Sequence, residues 1–109
     1  MQLEKTILSS FEIDEHLLPA AVNEQEKFNA IRELLIRRIE ELAEKDMQKL
    51  LWILYRVDVS EKKLHETLGQ TPPAQFAAVI ADLVIQRQIQ KAETRKQFGE
   101  NENGWNFDV

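Results

Sequence analysis

Six consecutive apolar or aromatic residues, Leu50-Leu51-Trp52-Ile53-Leu54-Tyr55, lie between Asp46 and Asp58 with polar sequence on either side. No other stretch constrains the fold as strongly. Wound as a helix at about 100° per residue, Met47, Leu50, Leu51 and Leu54 form one face and Trp52 and Ile53 flank it, so only a narrow strip through Lys49 and Arg56 stays polar. A helix apolar nearly all round is expected to be surrounded, which makes this run the expected core and the rest of the chain its packing.

The flanking sequence supplies helices to do that packing. Asn23 followed by Glu26 is an N-cap with a capping-box partner, predicting a first helix over 23–45. Its apolar residues Phe28, Ile31, Leu35, Ile39 and Leu42 fall on one stripe, which is expected to face the central run. Glu33, Arg37 and Glu41 sit opposite as a solvated ion-pair face. Arg32 and Arg38 lie at the margins of the stripe, where their stems are expected to lie on core residues and their heads to snorkel to solvent or pair with a nearby carboxylate such as Asp58. Asp46 caps the central helix, 46–57, after a tight corner, and Asp58 or Ser60 caps a short helix, 61–68, ending at Gly69. Thr71 before Pro72-Pro73 predicts a last helix over 72–98. Residues 1–22 keep no helical period for long and read as an extended arm ended by Pro19.

The fold class that follows is all-α: a compact bundle of about four helices with helix-turn-helix-like order in its C-terminal half, an extended N-terminal arm (1–22) and a C-terminal tail (99–109). Three glycines and three prolines in 109 residues agree with it, since a strand-rich chain needs more turns. That length suits one domain, 1–109, with a real hydrophobic core. No cysteine is present, which removes disulfides, thiolate metal sites and thiol nucleophiles and fits a reducing compartment. The longest apolar run is far short of the ~20 residues of a membrane span, and the start of the chain lacks the features of a signal peptide. A soluble, cytoplasmic protein with no membrane partner is expected.

The last predicted helix carries two apolar faces. Phe76, Val79, Ile80 and Leu83 suit the central run. Ala78, Ala81, Ile85, Ile89 and Ala92 point the other way as a seam of small and β-branched residues. Either the N-terminal arm or the same helix of a second subunit is expected to cover this seam, with a homodimer slightly favoured. In the tail, Trp105, Phe107 and Val109 alternate as in an extended segment that docks in a groove, of this chain or of a partner.

Chemistry is sparse. His16 and His65 are isolated, so no metal site is expected, and no two glycines have the spacing of a phosphate loop, so neither a cofactor nor a small-molecule ligand is expected. No serine sits in a nucleophile elbow, and no carboxylate pair stands out as acid and base, so no catalytic residue is assigned and the chain is not expected to be an enzyme. A net charge of −5 argues against general polyanion binding. Only 71–98 is net positive, with Arg87, Lys91 and Arg95 as the candidate anion contacts. These cations sit at the far end of the helix that would enter a DNA groove, whose start, Thr71-Pro72-Pro73-Ala74-Gln75, offers nothing to neutralise a phosphate.

The stretch Leu51-Trp52-Ile53-Leu54-Tyr55-Arg56-Val57-Asp58-Val59-Ser60-Glu61-Lys62, with Ile85-Gln86-Arg87-Gln88 downstream, resembles small bacterial all-helical proteins that are themselves uncharacterised. The likeness runs over about 46–98 and implies a one-domain bacterial protein without a catalytic motif. The sequence as a whole favours a non-enzymatic interaction or adaptor module, with a helix-turn-helix-like DNA-binding protein second and a small helical enzyme third.

Overall fold

The structure, a computed structural model, describes residues 2–20 and 23–100, with side chains for 3–20 and 23–94. Among the described residues there are five α-helices and no strand: α1 (Gln2–Ser10), α2 (Glu24–Lys45), α3 (Met47–Arg56), α4 (Glu61–Gly69) and α5 (Phe76–Glu100). Single 3-10 turns lie at Glu15–Leu17 and Pro73–Gln75.

The helix starts follow the capping chemistry. Asn23 accepts from the Glu26 amide at 2.9 Å, Asp46 from Lys49 at 3.1 Å and Ser60 from Lys63 at 3.2 Å, each satisfying one amide that the first helical turn leaves without a partner. Asp46 also makes the corner between α2 and α3, because its backbone leaves the helical region at φ −156°, ψ 73°. The start of α5 is later than the sequence predicts. Pro73 pushes Pro72 to an extended conformation (ψ 142°), one 3-10 turn intervenes, and the regular helix begins only at Phe76.

The N-terminal arm is not extended: nine of its residues form α1. Leu3, Ile7 and Phe11 are spaced four apart and lie on one face, and Ile7, Leu8 and Phe11 are buried. The helix stops without glycine. Glu12 takes a left-handed conformation (φ 58°), and the Ile13 amide reaches back to the Leu8 carbonyl at 2.8 Å, the closing hydrogen bond of a Schellman cap. The end of α3 repeats this geometry with Asp58 (φ 70°), where the Val59 amide donates to the Leu54 carbonyl at 3.1 Å. Both acidic cap residues are tied down by cations, Glu12 by Lys49 at 2.6 Å and Asp58 by Arg87 at 2.7 Å.

The pair α2 and α5 holds the bundle together, since it shares the most extensive contact of any two helices. Helices of 22 and 25 residues run to about 33 and 38 Å, long enough to serve as rods on which the shorter helices lie. Ile31, Leu35, Ile39 and Leu42 of α2 are buried as the stripe predicts, but they face α5 as well as α3, while Phe28 at the end of the stripe is 40% exposed. A part-buried bidentate pair, Arg32 to Asp82 at 2.8 and 3.2 Å, ties the two rods. Arg38 donates to the Phe11 carbonyl (2.9 Å) and to Glu41 (2.7 Å), clamping the end of α1 onto α2. Both arginines therefore find oxygen partners, and neither partner is Asp58.

The expectation that α3 is the most buried helix fails. Leu50, Ile53, Leu54 and Val57 enter the core, yet Met47, Leu51, Trp52 and Tyr55 are 50, 52, 54 and 82% exposed. A ten-residue helix spans only about 15 Å and rests by one side mainly on α2. No described helix covers its outer side.

Candidate interaction surface

On the helical wheel the four exposed apolar and aromatic side chains of α3 occupy one sector, away from the buried one. Met47, Leu51 and Tyr55 follow at intervals of four, and Trp52 extends the strip sideways. Gln48 interleaves with them and is exposed. Arg56 closes the far edge, its guanidinium 4.9 Å from the centre of the Trp52 ring, an arrangement that attracts the cation to the ring face.

The strip runs into a groove of about 350 Å³ between α3 and the start of α4. Leu51, Leu54, Tyr55 and Leu64 give it apolar walls, and Asp58, Ser60 and Glu61 give it a polar rim. The rim is fixed from below. Arg87 on α5 donates to the Asp58 carbonyl at 3.0 Å and to its carboxylate at 2.7 Å, and Gln88 donates to the Val57 carbonyl at 3.0 Å. The hydrogen bond from Arg87 and its charge, with Lys91 adding to the field, hold the Asp58 carboxyl below the usual carboxylate range. Held by both its core face and its C-terminal end, α3 is a firm platform for the side chains on its outer surface.

The seam on α5 meets a different fate. Ala81 and Ile85 are buried, Ala78 and Ala92 are half-buried, and Ile89 is 37% exposed. Its centre is covered by the chain's own α1, whose Ile7 and Phe11 share one core cluster with Ala81 and Ile85. An apolar groove of about 300 Å³ remains at one end of this contact, with Leu3, Ile7, Phe28, Ile31, Ile85 and Ile89 in its walls. Of the candidate anion contacts, Arg87 spends its guanidinium on Asp58 and on Gln90, Lys91 is half-buried, and the side chain of Arg95 lies outside the described residues. Trp105 and Phe107 also lie outside them.

No group of three His, Asp or Glu side chains among the described residues is placed to hold a metal ion. His16 is engaged by Asp14 at 2.9 Å, and His65 is exposed on α4. Among the described residues the displaced carboxyl groups all move downward: Glu12 through Lys49, Asp14 through the His16 amide and ring, Glu41 through Arg38, and Asp58 through Arg87. Each shift favours the ionised form, opposite to what a general acid needs at neutral pH. No described helix is long and apolar enough to cross a membrane.

No protein-family model, no curated protein and no solved structure matches this chain. The α3 strip escaped sequence reading because a wheel shows which residues are apolar but not how many neighbours exist to cover them. One signal was available: Trp52 and Tyr55 carry polar tips on apolar bodies, as side chains at half-wet interfaces do.

Proposed function

We infer that this chain is a protein-interaction module that presents the outer face of α3 to a protein partner. The observation that carries the reading is the exposure of Met47, Leu51, Trp52 and Tyr55 together on a helix whose other face is locked into the core. Aromatic residues, Met and Arg are the types enriched at protein interfaces, and the strip with Arg56 contains all of them. A helix face with anchors at intervals of four, beside an apolar groove, suits recognition of another helix. The absence of cysteine suits work in a reducing cytoplasm.

DNA binding finds less support. The order α3, α4, α5 can be read as a helix-turn-helix, but Arg87 is already neutralised by Asp58, and the first turns of α5 carry no cation. A salt-sensitive gel shift with mixed DNA would reverse this order of preference.

The test uses affinity capture from the native cell with the wild-type chain and with Leu51→Asp, after circular dichroism and thermal melting show that both are folded alike. The expected result is a protein retained by the wild type and lost by the variant. Retention of the same proteins by both would remove α3 from the interface and sink the reading.

A further inference from the structure

We propose that the occupant of the α3 face is a second copy of this chain, docked as an antiparallel α3 pair about a twofold axis through Leu51. The inference rests on the reading of α3 as an interaction face and names its partner.

The free apolar area matches one side of a dimer interface. An aromatic side chain buries about 150–250 Å² when fully enclosed, so the exposed parts of Trp52 and Tyr55, with half of Met47 and half of Leu51, leave on the order of 400–500 Å² of apolar strip. A standard interface takes roughly 800 Å² from each partner, a little over half of it apolar. The strip thus supplies the apolar share of one such interface, and Gln48, Arg56 and the rim of the groove supply polar surface around it.

The strip is also self-complementary, as a twofold contact demands because each copy offers the same patch. Met47 and Tyr55 both lie four residues from Leu51, so an axis through Leu51 sets Met47 of one copy level with Tyr55 of the other. Tyr55 borders the groove walled by Leu51, Leu54 and Leu64. A flexible thioether at the mouth of that groove fills apolar space and gains contact with the ring edge. An antiparallel pair also sets the two helix dipoles opposed, which favours it over a parallel pair. The α5 seam lacks this self-matching free surface, since α1 already covers Ala81 and Ile85.

The experiment combines mass with position. The full chain is measured by sedimentation equilibrium, with Tyr55→Asp beside it; Tyr55 is 82% exposed, so this change leaves the fold intact. The expected result is a dimer whose dissociation constant rises at least 100-fold in the variant. For position, the chain has no cysteine of its own. Leu51→Cys is oxidised under mild conditions, because helices packed at about 8–10 Å between axes bring the Cα atoms of a residue on the twofold axis to within about 6 Å, which is disulfide reach. Leu51→Cys is expected to cross-link to itself, and Ile89→Cys on α5 is expected to stay monomeric. A wild-type chain that is monomeric at high micromolar concentration overturns the second copy as occupant, as does a dimer unaffected by Tyr55→Asp or one cross-linked through Ile89→Cys. If the dimer fails while Leu51→Asp still abolishes capture of a cellular protein, the interaction face stands and only its occupant is wrong. If both fail, the face is wrong as well.

Discussion

The two faces of α3 are built from the same kinds of residue and end in opposite surroundings. Leu50 is 1% exposed and its neighbour Leu51 is 52% exposed; Ile53 is enclosed, while Trp52 beside it is half in solvent. Hydrophobicity alone does not separate them. What separates them is the supply of neighbours: α2 fills the inner side of α3, α5 holds its C-terminal end through Gln88 and Arg87, and α1 is spent on the free side of α5. The apolar content of a helix sets how much surface favours cover, and the number of helices within reach sets how much receives it.

The largest expected effect tests the inner face. Leu50→Ala removes a fully enclosed side chain from the contact with α2 and should destabilise the chain by about 2–5 kcal/mol in urea unfolding. A loss below about 1 kcal/mol would show that the inner face is not packed as described. The next effect tests the end of α3. Gln88 is the single polar side chain in the described core, and its amide donates to the Val57 carbonyl at 3.0 Å. Gln88→Ala strands that carbonyl and should cost roughly 1–3 kcal/mol. Measured stability equal to wild type would mean that water replaces the amide.

Much of the bundle was legible in the chain. The caps at Asn23, Asp46 and Ser60 sit where short polar side chains precede periodic sequence, and the α2 stripe from Ile31 to Leu42 is buried as its spacing requires. Two features were not legible, for physical reasons. α1 hid because Ile13, Leu17 and Leu18 follow it closely and blur the four-residue spacing of Leu3, Ile7 and Phe11. Its stop at Glu12, like that of α3 at Asp58, uses a left-handed residue that is not glycine, so the usual stop signal is missing. In both places a cation from another helix holds the acidic residue, a long-range pairing that local sequence does not announce. The outer face of α3 was misread because cover is a property of the whole bundle.

A smaller effect should follow pH. Arg87 lowers the pKa of Asp58 in the folded chain, so the pair contributes stability above the unfolded aspartate value of about 4 and loses it as pH falls through the lower folded value. Asp58→Asn keeps a residue that tolerates the left-handed conformation while removing the charge. The difference in melting temperature between wild type and variant should be greatest near neutral pH and should shrink as pH falls below about 4. A difference that stays constant over that range would assign the effect to backbone or hydrogen bonding rather than to the ion pair.

The smallest expected change in stability belongs to the most exposed aromatic of the outer face. Tyr55 is 82% exposed and points away from the core that holds Leu54, one residue earlier in the same turn. Within a single chain, removing its ring takes away almost no enclosed surface, so at protein concentrations low enough to leave the chain monomeric Tyr55→Ser should shift the unfolding free energy by less than about 0.5 kcal/mol, the range of ordinary surface substitutions. Serine is close to tyrosine in helix propensity, so the exchange itself adds a few tenths of a kcal/mol at most. Urea unfolding followed by far-ultraviolet circular dichroism measures the shift without relying on the fluorescence of nearby Trp52. A loss above about 1.5 kcal/mol would mean that Tyr55 is enclosed in solution, with the outer face already covered when the measurement is made. Repeating the titration at tenfold lower protein concentration would identify that cover: a shift that shrinks on dilution comes from a second chain, and one that persists comes from the chain itself.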